Sequence, residues 1–150
     1  HCTERTGQPI DVIVPVYVEN RIVREEVYKA VVGGRYALHD LAYLRLLDAD
    51  TLMPTAAIAD EDSILYEGEP TWLVGFPAGL TRALTDGSFG NIESIPFPDA
   101  NRNSDYYRST PAITGGNSGG PLFHMSEDGD FEIIGIAAAV HRSGNQLGYY

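Results

Sequence analysis

A serine among glycines is the residue of this chain whose neighbours best suit it for chemistry. Ser118 lies in Thr-Gly-Gly-Asn-Ser-Gly-Gly-Pro-Leu, residues 114–122, with four glycines close to it. Glycine allows positive φ and close approach of another backbone, so amide N–H groups can converge beside the hydroxyl as an oxyanion hole. The same composition fits a plain glycine-rich turn or a phosphate cradle. The P-loop form of such a cradle fails because no lysine follows the glycines.

A serine nucleophile needs a base to take its proton and an acid to orient that base. Four histidines are available as the base: His1, His39, His124 and His141. Asp40 is a candidate acid because it opens the apolar run Asp-Leu-Ala-Tyr-Leu-Arg-Leu. A carboxylate at the mouth of a buried strand requires a partner.

Three short blocks resemble the signature blocks of trypsin-like serine proteases. They are His1-Cys2, the Asp-Leu-Ala-Tyr-Leu-Arg-Leu of residues 40–46, and the Gly-Asn-Ser-Gly-Gly-Pro-Leu of residues 116–122. Their order along the chain, histidine, aspartate and then serine, also matches that family. The resemblance runs from the first residue to Gly-Tyr-Tyr at 148–150, which is similar to part of the last strands.

The resemblance implies a role for each residue of a catalytic triad. Ser118 would attack the peptide carbonyl, and His1 would take its proton and later deliver it to the leaving amine. Asp40 would hold the imidazole in the correct tautomer, which leaves His39 as its bystander neighbour. The backbone N–H groups of Gly116 and Ser118 would hold the oxyanion. The implied partner is therefore a polypeptide substrate, and no cofactor is implied.

Two features resemble the bacterial HtrA-type and glutamyl-endopeptidase-like branches. Asn117 stands where trypsin has an aspartate that receives the new N-terminus after zymogen cleavage, and an asparagine carries no charge to pair with that ammonium. Gly-Phe-Pro-Ala-Gly-Leu at 75–80 resembles the Gly-x-Pro-x-Gly turn of the HtrA group. His1-Cys2 is more similar to trypsin and secreted bacterial forms, so both branches remain open.

The resemblance places the floor of the substrate pocket at Ala112, Ile113 and Thr114. Trypsin has the carboxylate that selects lysine and arginine six residues before its serine, and here that position is Ala112. Burying a basic side chain without a counter-ion is costly, so a basic residue before the scissile bond is disfavoured. We expect a preference for small or medium apolar residues.

A second group of substrate-binding residues is expected on one strand. Ala138, Ala139 and Val140 are similar to the edge that pairs with the substrate main chain as an added β-strand. His141 follows directly, and glutamyl endopeptidases use a pocket histidine to receive a carboxylate. Their histidine lies earlier in the strand, where this chain has an alanine. Selection of glutamate by His141 is therefore the competing specificity, and a loop histidine the simpler interpretation.

Two other classes of protein share parts of this pattern. Gly-Asn-Ser-Gly-Gly also satisfies the nucleophile elbow of α/β-hydrolases, with Asp128 or Asp130 and then His141 as later members. That elbow needs a helix after the serine, whereas Pro121-Leu122-Phe123 indicates a strand, and no βα rhythm is present. The alternative is a protease-like fold kept as a silent binding module. The presence of all three triad residues and the oxyanion glycine favours an enzyme.

No metal site is predicted. Glu19, Asn20 and Glu25 stand where trypsins bind calcium, but no regular ligand spacing supports a site. Cys2 is the only cysteine, which excludes an internal disulfide and a multi-cysteine zinc site.

Composition narrows the class of protein further. The chain has 150 residues, 43% hydrophobic and 21% charged, which suits a packed core rather than disorder. Its net charge of −11 makes nucleic acid a poor partner. No apolar run reaches the roughly 18 residues that span a bilayer. We expect a secreted or periplasmic protein, and nothing in the sequence indicates an oligomeric state.

The elements that must position these residues are strands. Glycine and proline punctuate segments rich in valine, isoleucine, tyrosine and threonine, which is typical of an all-β protein. Strands are predicted at 12–18, 26–32, 41–47, 71–76, 87–95, 106–109, 121–123, 132–140 and 147–150. The 41–59 stretch also permits a helix, but Pro54 interrupts it, so a strand followed by a linker is expected.

The family fold implied by the resemblance is two antiparallel six-stranded β-barrels with the active site between them. Residues 1–48 would be the remainder of an N-terminal barrel, 49–69 an inter-barrel linker and 70–150 the C-terminal barrel. In that fold the base follows the third strand of the first barrel, yet here it is residue 1. We therefore expect the first barrel to be incomplete and the sequence to be a processed or truncated piece.

Overall fold

The structure, a computed structural model, describes residues 8–36, 41–47, 53–60, 63, 65–96, 103–140 and 148–149. The chain divides into two compact units, His1–Pro54 and Thr55–Tyr150. Within the described residues the regular structure is β-strand, apart from one 3-10 turn at Pro77–Gly79. The all-β fold class is confirmed. The predicted division at 48 and 69 stays a prediction, and the boundary between the two units falls inside the stretch predicted as linker.

The first unit is an antiparallel sheet of three strands in the order β1-β2-β3. The strands are β1 (Ile10–Val18), β2 (Arg21–Tyr36) and β3 (Leu41–Leu46). Glu19 and Asn20 join β1 to β2 with φ of 47° and 62°, and two successive positive φ values define a type I′ hairpin turn. Two of the residues weighed as calcium ligands thus make a tight turn. The prediction of a strand rather than a helix after Asp40 is confirmed by β3.

Strand β2 is longer than the stretch 26–32 predicted for it. Its first part pairs with β1, from Val18↔Arg21 to Ile10↔Ala30, and its second part pairs with β3, from Ala30↔Leu46 to Tyr36↔Leu41. Pairing to two successive partners extends the strand beyond its β-branched segment. Near its end Gly33 lies under a ring, because an added Cβ there would be 2.2 Å from the Tyr43 side chain.

The second unit contains one sheet of eight strands in the order β10-β11-β7-β6-β5-β8-β9-β4. Its neighbours pair antiparallel except β4 and β9, which pair parallel. In chain order the strands are β4 (Ala57–Ile58), β5 (Pro70–Gly75), β6 (Ala83–Pro96), β7 (Asn103–Ser109), β8 (Pro121–Met125), β9 (Phe131–Ile136), β10 (Ala139–Val140) and β11 (Gly148–Tyr149).

The sheet of the second unit curls back on itself. Strands β9 and β10 are separated by only Ala137 and Ala138, so their facing ends are at most about 11 Å apart. In the sheet order five strands lie between them. Six steps across a flat sheet would cover about 29 Å. The sheet is therefore not flat but curls into a half-barrel.

The core of this unit anchors both ends of the serine loop. Leu73, Ile113, Leu122 and Ala137 form its buried cluster. Leu73 on β5 stands opposite Leu122 on β8, and both are almost completely buried. Ile113 precedes Ser118 and Leu122 follows it, so apolar burial fixes the chain on either side of the loop.

Candidate active site

Ser118 stands exposed on a loop between β7 and β8. The loop is shaped by two successive turns that meet at Asn117. The Asn117 N–H donates to the Thr114 carbonyl at 3.0 Å, and the Gly120 N–H donates to the Asn117 carbonyl at 2.9 Å. Ser118 lies inside the second turn, which leaves its side chain accessible to a substrate.

The serine loop is tied to the segment between β9 and β10. The Gly119 N–H donates to the Ala137 carbonyl at 2.8 Å, and the Ala137 N–H donates to the Gly120 carbonyl at 2.8 Å. Both polar backbone groups of Ala137 are thereby used by the loop. This explains why the strand predicted over 132–140 is wrong as one continuous element: it is broken at Ala137 and Ala138.

Gly116 is a position that only glycine fits. Its φ is +100°, and an added Cβ would lie 2.3 Å from the Phe76 carbonyl oxygen and 2.8 Å from the Ala78 nitrogen. The Ala78 N–H also donates to the Gly115 carbonyl at 2.7 Å. The 3-10 turn at 77–79 therefore buttresses the serine loop.

In the sequence, residues 75–80 show only a resemblance to a family turn, which predicts no role for them at the site. The residue types Pro77-Ala78-Gly79 predict a turn. They do not predict that this turn contacts the serine loop, because that contact joins residues about forty positions apart in the chain.

Two backbone N–H groups of the loop are available to bind an anion. Among the described residues, neither the Gly116 N–H nor the Ser118 N–H donates to a protein acceptor. These are the two groups that the family resemblance predicts for an oxyanion hole. An exposed hydroxyl beside unpartnered N–H donors is chemically suited to acyl transfer.

The three residues predicted to floor the pocket differ in their surroundings. Ala112 is half-buried, and its carbonyl accepts a hydrogen bond of 3.2 Å from the Thr85 hydroxyl. Thr114 is exposed. Ile113 is 7% exposed and belongs to the core cluster, so its side chain supports this segment from beneath.

The segment predicted to pair with substrate lies at the end of the sheet. Ala138 is half-buried, and Ala139 and Val140 form β10, which pairs with β11 on one side. β10 is the terminal strand in the described sheet order. Terminal strands present unpaired backbone groups, which an extended peptide can use.

His1, Asp40, His39 and His141 lie outside the described residues, so their roles stay predictions. The remaining histidine, His124, is buried and contacts Glu132 across β8 and β9, with 3.3 Å between Nε2 and Oε2. The α/β-hydrolase alternative is wrong, because the strand β8 rather than a helix follows the serine loop.

Other chemistry is sparse in the part of the chain that the structure describes. No group of three or more His, Cys, Asp or Glu there could hold a metal ion. No helix in these ranges has the length and apolar character needed to cross a bilayer. On β2, a hydrogen bond from the Tyr28 hydroxyl, followed by one from Arg24, lowers the pKa of Glu26.

Comparison with protein families gives a match over most of the chain. The trypsin-like peptidase domain family matches residues 1–136. A probable periplasmic serine endoprotease DegP-like from Halomonas elongata is 35% identical over 121 residues, which are 80% of this chain and 24% of that protein. The mitochondrial serine protease HTRA2 of Bos taurus is 30% identical over 133 residues, 85% of this chain and 27% of that protein. The chain thus spans about a quarter of the length of these relatives.

Solved structures show the same fold at low sequence identity. The Rv3671c protease from M. tuberculosis in its active form superposes with a TM-score of 0.68 at 19% identity, covering 90% of this chain and 56% of that one. Its inactive form gives a TM-score of 0.66 at 20% identity, covering 83% of this chain and 61% of that one.

Proposed function

Because the chain belongs to the family of trypsin-like peptidase domains, we propose that it is a serine endopeptidase acting through an acyl-enzyme intermediate. The observation that carries this proposal is the loop of Ser118. It presents an exposed hydroxyl beside two N–H groups without acceptors among the described residues. The names of the relatives, serine endoproteases and a serine protease, support the same reaction class.

The proposed mechanism divides the work among three side chains and two backbone groups. Ser118 Oγ attacks the scissile carbonyl while His1 takes its proton, and Asp40 orients the imidazole. The Gly116 and Ser118 N–H groups donate to the oxyanion, and each such donor is worth about 10²–10³ in kcat. His1 then returns the proton to the leaving amine, and water hydrolyses the acyl-enzyme.

Covalent labelling tests the nucleophile directly. A fluorophosphonate should add to one serine, peptide mapping should place the adduct on Ser118, and Ser118→Ala should abolish both labelling and peptide hydrolysis. Ser126, on the same unit but with its Oγ accepting a hydrogen bond from the Asp130 N–H, is the internal control that should stay unlabelled. An adduct elsewhere, or full activity of Ser118→Ala, would refute the proposal.

The pH dependence tests the base. His1 has to be neutral to accept the proton, so kcat/KM should rise with pH through the usual histidine pKa of about 6.5. A flat profile between pH 5 and 8, with chemistry limiting the rate, would exclude His1 from that role.

For specificity, the proposal is cleavage after small or medium apolar residues. The proposed floor, Ala112, Ile113 and Thr114, carries no charge, and the terminal strand β10 offers backbone groups to an extended substrate. A peptide library scored by cleavage decides the matter. Selection for arginine or lysine would refute the floor assignment, and selection for glutamate would assign the pocket to His141.

The proposed location is extracytoplasmic, and the proposed partner is a polypeptide substrate. The support is the name of the relative from Halomonas elongata, a probable periplasmic serine endoprotease. Activity-based labelling of periplasmic and cytoplasmic fractions should find labelled enzyme in the periplasmic one, and label confined to the cytoplasm would refute the location.

A further inference from the structure

The side chain of Asn117 is buried directly beside Ser118, and half of its amide has no partner. Asn117 is 3% exposed. Its Nδ2 donates to the Ala112 carbonyl at 3.4 Å, whereas its Oδ1 has no hydrogen-bond partner among the described residues. An unsatisfied buried acceptor lowers the free energy of unfolding by about 1–3 kcal/mol, so an apolar side chain would fill this space at lower cost than the amide does.

The space around the amide is shaped by a glycine on a neighbouring strand. An added Cβ at Gly75, the buried last residue of β5, would lie 2.5 Å from Asn117 Oδ1 and 2.9 Å from its Cγ. No larger residue leaves room for the amide without displacing it. From β6 the Thr85 hydroxyl also donates to the Ala112 carbonyl. Among the described residues, the groups that these contacts place near Asn117 from β5, β6 and its own loop are backbone and hydroxyl groups.

The backbone of Asn117 connects this amide to the nucleophile. Its N–H closes the first turn of the serine loop, and its C=O closes the second turn, which contains Ser118. Its side chain meanwhile holds the carbonyl of Ala112, the first residue of the expected pocket floor. One residue thus links the floor to the serine, and a shift of its amide would be transmitted to both.

We propose that Asn117 is a positioning residue: its carboxamide holds the Ala112 carbonyl and so fixes the pocket floor relative to Ser118, in space provided by Gly75. In this role Asn117 acts without touching substrate: its side chain holds the Ala112 carbonyl, and its own backbone forms the turns beside Ser118. The inference rests on the proposed function, since it names what aligns that same site.

The first test replaces the amide by a titratable group of the same shape. In Asn117→Asp the neutral acid can donate to the Ala112 carbonyl, as the amide does. The carboxylate cannot, and it would face a carbonyl oxygen in a buried site, which raises the carboxyl pKa. Wild-type kcat/KM should rise with pH, whereas the variant should rise and then fall to about a hundredfold below wild type.

A variant profile that stays parallel to wild type from pH 5 to 9 overturns the proposal. A merely space-filling asparagine would give such a parallel profile, because loss of packing has no titration.

The second readout needs no activity. If the carboxyl pKa is higher in the folded than in the unfolded chain, ionisation favours unfolding once pH exceeds the usual aspartate pKa of about 3.9. The melting temperature of Asn117→Asp should therefore fall relative to wild type as pH rises. A constant difference in melting temperature contradicts the burial on which the proposal stands.

Gly75→Ala supplies an independent variant if the aspartate variant does not fold. Its Cβ should displace the amide and lower kcat/KM about a hundredfold per folded molecule, without moving the rising limb of the pH profile. The matched control is Gly115→Ala, where an added Cβ meets nothing within 4 Å. Equal activity of the two variants overturns the proposal.

The two proposals fail in distinguishable ways. A folded wild type that neither cleaves peptides nor reacts with a fluorophosphonate refutes the proposed function. An active wild type whose Asn117→Asp profile parallels its own refutes only the positioning role.

Discussion

Replacing Gly116 by alanine tests whether close packing of the serine loop against the turn at 77–79 is needed for catalysis. The residue has a φ of +100°, where a side chain costs about 1–2 kcal/mol. Its added Cβ would also lie 2.3 Å from the Phe76 carbonyl oxygen. An ordinary C···O contact is about 3.3 Å, so loop and turn must separate by about 1 Å.

The expected effect on catalysis follows from that displacement. A shift of about 1 Å misplaces the Gly116 N–H, and loss of one oxyanion donor costs about 10²–10³ in kcat, or about 2.7–4 kcal/mol. We expect Gly116→Ala to lower kcat by this factor with little change in KM. Its melting temperature should fall by several degrees, since about 1 kcal/mol corresponds to about 2–4 °C in domains of this size.

Two neighbouring glycines are matched controls. Gly119 has a φ of +85° but open space around an added Cβ, so Gly119→Ala carries the conformational cost without the clash. Gly115 has open space and no such φ, so Gly115→Ala carries neither. The assay is kcat and KM on a peptide substrate, normalised by active-site titration, beside calorimetric melting. If Gly116→Ala keeps kcat within threefold of Gly119→Ala, the steric reasoning is wrong.

Two further predictions concern the two units separately. Leu122→Ala should lower the free energy of unfolding of the second unit by about 2–5 kcal/mol, because Leu122 is fully buried. The control Leu80→Ala, at a 75% exposed position, should change it by no more than about 0.5 kcal/mol. Chemical denaturation measures both, and equal effects would contradict the placement of Leu122 in the core. Tyr28→Phe should raise the pKa of Glu26, because the hydrogen bond from the Tyr28 hydroxyl is the largest cause of its lowered pKa. NMR titration of the carboxyl group measures this pKa, and the control Tyr36→Phe should leave it unchanged. Because folding lowers the pKa of Glu26, ionised Glu26 stabilises the folded state at neutral pH, and this stabilisation is lost as pH falls through the folded-state pKa. In Tyr28→Phe the free energy of unfolding should therefore fall less steeply towards acid pH.

Local patterns in the sequence determined the strands and the chemistry of the loop. Alternation and turn residues place β1, β3 and β5 within two residues of their observed limits, because pleating and turn formation depend on neighbours in the chain. Ser118 and its glycines were recognisable for the same reason. A loop that must bring N–H donors to one point needs residues that tolerate unusual backbone angles, and that need is visible as glycine.

Only the tertiary structure decided what the local pattern left open. The strand predicted over 132–140 is divided because the backbone groups of Ala137 bond to Gly119 and Gly120 in the serine loop. β2 is longer than its β-branched segment because two partners pair with it in succession.

The burial of Asn117 and the turn packed against Gly116 were equally out of reach of the sequence pattern. Each depends on a contact between segments about forty residues apart, formed by Gly75 in one case and Phe76 in the other. Such contacts arise when the sheet curls and brings the end of β5 against the serine loop. This contact depends on the packing of the whole core, so no local sequence pattern predicts it. The residues with reactive side chains, in contrast, are identified directly by their type and their neighbours in the sequence.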